Sequence, residues 1–182
     1  MAFFFFDFRD DEKQTRRSLL SSILVQLCNQ SDDYYDVLFK FYSEHNHGSQ
    51  HPSNNKLTEC LKKMLNSQRD GPIYIIIDAL DECPSFGSPS ERENVLEVVT
   101  ELIDLCCPNL HICVTSRPEP DIEAILSYSA SRSVSLHSQD GQTNDINNYV
   151  RDFVNTDRAM RRWKPQDKEH VIETLSQRAD GM

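Results

Sequence analysis

Hydrophobic positions in this chain follow two rhythms: short unbroken runs, and longer stretches in which apolar residues recur at helical spacing. The runs are "FFFFDF" at 3–8, "IYIII" at 73–77, "HICVTS" at 111–116 and the weaker "SVSLH" at 133–137, each expected as a strand. Between the first two, three helices are predicted. Asp11 and Gln14 resemble a capping pair ahead of Leu19, Leu20, Ile23, Leu24 and Leu27. A second helix is predicted over Asp33–Tyr42, with Tyr34, Val37, Leu38, Phe41 and Tyr42 on one face. Leu57, Leu61, Met64 and Leu65 mark a third, ended by Gly71 and Pro72. After the second run, Ser88 reads as an N-cap with Pro89 in the first turn and Glu91 reaching back. The helix it opens carries Val95, Leu96, Val99, Leu102, Ile103 and Cys106, and Pro108 stops it near Cys107. A short helix is predicted over 120–127.

Strands alternating with helices imply crossover connections and a mostly parallel sheet. Such sheets carry their chemistry beyond the carboxyl ends of the strands. Past residue 140 the text is helical only. Ile146, Tyr149, Val150 and Phe153 form one amphipathic set, and Val171, Ile172 and Leu175 another, with Gly181 placed as a C-cap.

Composition narrows the function. The chain has 182 residues, 38% hydrophobic and 26% charged, with a net charge of −10. That length suits one sizeable core, and the acidic balance argues against a nucleic-acid or anionic-membrane surface. The densest basic cluster, Arg158, Arg161, Arg162 and Lys164, reads as a solvated helix end. Six scattered cysteines without a CxxC pair, most within apolar patterns, read as buried reduced thiols, and the apolar start "MAFFFFDFRDD" breaks at Asp7 without a basic flank. The expected address is cytoplasmic.

The stretch "IYIIIDALDEC" carries the chemistry. A carboxylate set at the tip of a greasy strand is costly unless a cation meets it. Asp78 stands there, in the place of a Walker B acid that holds the water shell of a phosphate-bound Mg²⁺. A second acid a few residues on can orient or deprotonate an attacking water. Glu82 is the first candidate and Asp81 the second. The plainer alternative is that these acids cap the following turn or pair with Arg92. Arg117, one strand over, is placed to meet a terminal phosphate, or else to pair with Asp81 or Glu82. Thr115 and Ser116 either help position a phosphate or water or serve the turn alone.

Together "FFFFDFRDDEKQTRRSLLSSILVQL", "IYIIIDALDEC", "ICVTSRPE", "DINNYVRDFV" and "LSQRADGM" resemble, in order, a NACHT-type domain of the fungal STAND class, close to the nephrocystin 3-like N-terminal domain. The resemblance implies a three-layer α/β/α P-loop core over 1–138 and the start of a helical subdomain over 139–182. It implies Mg-ATP or Mg-GTP as ligand, Asp78 on the metal through water, and Arg117 as a phosphate sensor. In that family, effector regions precede the core, ankyrin, WD40 or tetratricopeptide repeats follow it, and nucleotide exchange switches the oligomeric state.

The departure is large. A phosphate cradle needs a glycine-rich loop opening a helix, with Lys on the phosphates. The five glycines here are Gly48, Gly71, Gly87, Gly141 and Gly181; none is followed by Lys, and GxxxxGK[ST] does not occur. In the family that loop precedes the segment resembling "FFFFDF". The expected sheet therefore lacks the family's first strand and leaves the "HICVTS" strand an open edge, with marginal stability. The expected activity is that of part of a signalling ATPase, unable to grip nucleotide alone. The other reading is a non-catalytic module that docks on full-length relatives or on itself.

Overall fold

The computed structural model describes residues 1–67, 71–135 and 140–178, which fall in two compact units, 1–130 and 131–182. In the first unit three parallel strands form one sheet in the order β1 (Ala2–Phe5), β2 (Ile73–Asp78), β3 (Leu110–Val114). The ladder sets Ala2 beside Ile75 and Phe5 beside Asp78, and Ile73 beside Leu110 and Ile77 beside Val114. All three strands therefore end together. The expected fold class, α/β with a parallel sheet followed by a helical part, is what the chain adopts.

β-branched side chains stiffen β2, and the strand's alternation sorts them by face. Ile73, Ile75 and Ile77 are buried, as are Ala2 and Phe4 of β1. Onto this face pack α1 (Arg16–Cys28), α3 (Asn54–Leu65) and α4 (Glu91–Asp104), with α2 (Asp32–Glu44) against α1 and α3. Leu19, Leu20, Ile23, Leu61, Met64, Val95 and Leu96 fill the space between, each no more than 2% exposed. The opposite face is open. It carries Phe3, Phe5 and Tyr74 at 42%, 50% and 46% exposure, with the Tyr74 ring stacked on His111 at 5.0 Å.

The sheet's two edges differ. Gln26 of α1 accepts from the Phe3 N–H at 3.0 Å and donates to the Phe3 carbonyl at 2.7 Å. Gln30 does the same for the amine and carbonyl of Met1, at 2.6 and 2.8 Å. Two side-chain amides thus occupy the place of a neighbouring strand along β1. On the far side β3 has no strand partner but β2 among the described residues. Such an unpaired edge is open to a further strand.

Several predicted boundaries move. Thr15, not the Asp11–Gln14 pair, caps α1, accepting from the Ser18 N–H; Asp10 caps a separate short turn over Asp11–Lys13. Ser90 caps α4 in place of Ser88, and Glu93 closes the box in place of Glu91, because Gly87 and Ser90 bridge across the Ser88–Pro89 turn. α4 ends at Asp104, since Cys106 turns into the left-handed region at φ 49°. Tyr42 lies half out of the predicted apolar face of α2, at 46% exposure. Of the predicted fourth strand, Ser133–Ser135 form none and are exposed, while Leu136 and His137 lie outside the described residues. A run with only two apolar positions has too little to bury. α5 spans Pro120–Leu126.

In the second unit α6 (Asp140–Thr156) packs on α7 (Pro165–Arg178), joined by an Arg151–Glu169 ion pair at 3.1 Å. Among its described residues Val154 and Ile172 are the buried apolar ones, whereas Tyr149 is 70% exposed and Leu175 49%. The predicted cap Gly181 lies outside the described residues. No described helix is long and apolar enough to cross a membrane.

Ile75, 1% exposed in the central strand, tests this packing. Ile75→Ala should cost about 2–5 kcal/mol in urea unfolding, because the rigid sheet cannot collapse into the void. A loss well under 1 kcal/mol would contradict the burial described. The thiols give an independent check. Burial pushes Cys83 up to about 12 and Cys60 up to about 11. At pH 8 Ellman's reagent should label the exposed Cys106 and Cys113 and spare Cys60 and Cys83 until the chain unfolds.

Candidate functional site at the carboxyl ends of the strands

Asp78 is the last residue of β2, and the chain turns sharply after it. Ala79 sits in the left-handed region at φ 53°, a conformation that costs a residue with a Cβ about 1 kcal/mol or more. β3 holds the turn in place. The Thr115 N–H donates to the Ile77 carbonyl at 2.9 Å, and the Leu80 N–H donates to the Thr115 carbonyl at 3.0 Å. The Thr115 hydroxyl accepts from the Ala79 N–H at 3.0 Å and donates to the Asp78 carboxylate. Leu80, fully buried, anchors the short turn Leu80–Glu82 from below. The strand tips are thus stitched together by the side chain of Thr115 and by backbone bonds.

That turn aims its two acids differently. Both oxygens of Asp81 are engaged by Arg117: Oδ1 accepts from its backbone N–H at 3.0 Å and Oδ2 from Nε at 2.7 Å. The Asp81 side chain is only 6% exposed, while that of Arg117 is 72% exposed. Burial pushes the Asp81 carboxyl up, but the backbone N–H and guanidinium of Arg117 more than offset it and hold it below the usual range. Glu82 is less committed. Its Oε2 accepts from the Phe8 N–H at 3.1 Å, and its Oε1 lies 3.9 Å from Arg117 Nη2. The Ser116 hydroxyl donates to the Arg117 carbonyl, a local turn bond. Asp78, Asp81, Glu82, Thr115, Ser116 and Arg117 therefore lie together at one end of the sheet.

Arg92 does not pair with the carboxylates of Asp81 or Glu82. Buried in the first turn of α4, it donates from Nη2 to the Asp81 carbonyl at 2.5 Å and from Nε to the Cys83 carbonyl at 3.0 Å. Its Nη1 faces Asp121 at 3.2 Å. Sequence reading treated Arg92 as a stray partner and missed Asp121 altogether. A signal was present, since Arg92 falls on the same helical face as Val95, Leu96 and Val99. A charge on an apolar face must find fixed partners. Phe8, Asp81, Glu82, Phe86, Arg92 and Arg117 are among the residues lining an open cavity of about 300 Å³ beside the turn.

Asp78 accepts the Thr115 hydroxyl on one carboxylate oxygen and Glu82 accepts the Phe8 N–H on one of its own. Arg117 is an exposed guanidinium that an anion could draw from Asp81. Divalent Mg²⁺ keeps most of its waters and asks only one or two carboxylates of a protein, which suits Asp78. Among the described residues no cluster of three or more His, Cys, Asp or Glu could enclose a metal by itself.

The Asp81–Arg117 pair has a defined pH signature. Because the folded value of Asp81 is depressed, its contribution is complete above the ordinary carboxylate range and is lost as pH falls through the folded value. Asp81→Asn should cost on the order of 1 kcal/mol at pH 7, modest because Arg117 is solvated. The gap between wild type and variant should narrow as pH falls below about 4. A gap that stays constant or widens there would contradict the pairing.

Comparison with known proteins adds one finding. The family model described as Nephrocystin 3, N-terminal, matches residues 1–117, a span that ends on Arg117. No match to a curated protein or to a solved structure was found.

Proposed function

The chain belongs to the nephrocystin 3 N-terminal family, and on that premise we propose that it carries the metal-facing half of a NACHT-type nucleotide switch. The observation that supports this most is the meeting of Asp78 and Arg117 at one end of two paired strands, with Asp81 holding the arginine. In this reading Asp78 holds Mg²⁺ through water, and Glu82 orients the attacking water. Asp81 has no free oxygen for that work and parks Arg117 instead. A terminal phosphate competes with Asp81 for the guanidinium, so nucleotide state is converted into the position of one side chain. Thr115 keeps the tip of β2 registered against β3. ATP and GTP fit this end of the sheet equally, because only phosphate and metal are addressed by it.

The 182 residues contain no phosphate loop, and backbone amides and a lysine supply most of the grip on a triphosphate. Mg-ATP added to the chain in isothermal titration should therefore bind no tighter than about 1 mM, an affinity worth about 4 kcal/mol. A micromolar constant would overturn this division of labour. A chimera in which a loop-bearing segment from a family member precedes β1 should gain micromolar affinity. In it Asp78→Asn should weaken Mg-nucleotide binding about tenfold or more, a loss of about 1.4 kcal/mol. Equal binding by chimera and variant would remove Asp78 from the metal site.

A second reading draws on the exposed sheet face with Phe3, Phe5 and Tyr74 and on the open edge of β3. These surfaces suit a non-catalytic module that docks on full-length relatives. Co-purification with such a relative, abolished by Phe3→Lys, would favour it over the switch.

A further inference from the structure

We infer that Arg92 is a positioning residue that sets the Asp81 turn and the segment carrying Arg117 against each other. Its guanidinium touches both arms of the site. On one side it holds the carbonyls of Asp81, at 2.5 Å, and of Cys83, at 3.0 Å. On the other its Nη1 reaches both oxygens of Asp121, at 3.3 and 3.2 Å, and lies 3.9 Å from Glu119. Glu119 and Asp121 lie two and four residues after Arg117, at the N-terminal end of α5.

The chemistry demands an arginine. The carbonyls at the end of a short helical turn have no helical partners of their own, and a buried cation needs several acceptors to replace its lost water. A planar fork with donors in three directions satisfies a turn and a carboxylate at once; a lysine ammonium on a flexible stem cannot hold all of them in place. Arg92 is only 6% exposed, and its own N–H is tied to the Pro84 carbonyl at 3.0 Å. The clamp is therefore anchored by buried bonds on the Asp81 side and meets two half-exposed carboxylates on the other. Its consequence is the distance of 2.7 Å between Arg117 Nε and Asp81 Oδ2, a bond between an exposed side chain and a buried one that neither could set alone. Displacing Arg117 from Asp81 frees the carboxylate to move its turn, and Arg92 carries that movement to α5.

That the clamp serves a phosphate site rests on the function proposed above; the clamp itself does not, and it is tested without nucleotide. On the ¹⁵N-labelled chain, the Arg117 Nε–H should exchange slowly with water at neutral pH. Arg92→Lys and Asp121→Asn should each speed that exchange about fivefold or more, the ratio expected for losing roughly 1 kcal/mol of hydrogen bonding. Far-UV circular dichroism should stay unchanged. A purely structural Arg92 would lower the melting temperature and leave Arg117 exchange within about twofold of wild type, and that result overturns the inference. Should Arg92→Lys fail to fold, Asp121→Asn decides by the same criterion, because its carboxylate is 42% exposed and its loss leaves the core intact. A clamp that passes this test in a chain whose loop-bearing chimera never binds Mg-nucleotide would stand, and the proposed function would fall.

Discussion

The in-register pairing of β2 with β3 is the constraint on which the rest depends. Five residue pairs, Ile73–Leu110 to Ile77–Val114, bring the two strands out at one level. Everything chemical lies in the next few residues of each: Asp78, Asp81 and Glu82 on one, Thr115, Ser116 and Arg117 on the other. A slip of one residue would turn Asp78 to the opposite face of the sheet and carry Thr115 away from it. Burial of Ile73, Ile75 and Ile77 against the helices prevents that slip, because the alternative register exposes all three. The hydrophobic core thus fixes the position of polar groups that contribute little to it.

The site also shows how one guanidinium is buried and another left free. Arg92 is enclosed, with every nitrogen committed to oxygen acceptors. Arg117 is exposed, with its Nε and backbone N–H on Asp81 and its Nη2 3.9 Å from Glu82. Buried, multiply bonded cations hold geometry, while solvated ones exchange partners cheaply. In the proposed reading Arg92 holds the site and Arg117 is the group that switches. Asp81 stands at the junction: its carboxylate faces the exposed arginine and its carbonyl the buried one.

Much of this was legible in the residues. The apolar runs located all three strands of the sheet, and their alternation with helical text gave its parallel sense. The acids after "IYIII" and the arginine after "HICVTS" were expected at one end of it, and they lie together there. Boundaries were harder to read. Ser88 and Ser90 both offer a capping hydroxyl, and only the turn at Gly87 selects the second. The fourth run had the composition of a strand, but its described part, Ser133–Ser135, forms none. Least visible were bonds to backbone carbonyls, since a carbonyl has no letter of its own in a sequence. The grip of Arg92 on the Asp81 and Cys83 carbonyls, and the bond from the Phe8 N–H to Glu82 across 74 residues, all run through main-chain atoms. The glutamines that seal β1 escaped notice for the same reason.

The central claim is that the paired tips of β2 and β3 face a phosphate-bound metal. Paramagnetic Mn²⁺ in place of Mg²⁺ tests it most directly. With millimolar Mn-ATP on the ¹⁵N-labelled chain, line broadening should centre on Asp78, Ala79, Thr115 and Arg117, and disappear in Asp78→Asn. Broadening centred elsewhere, or equal in the variant, would contradict the account.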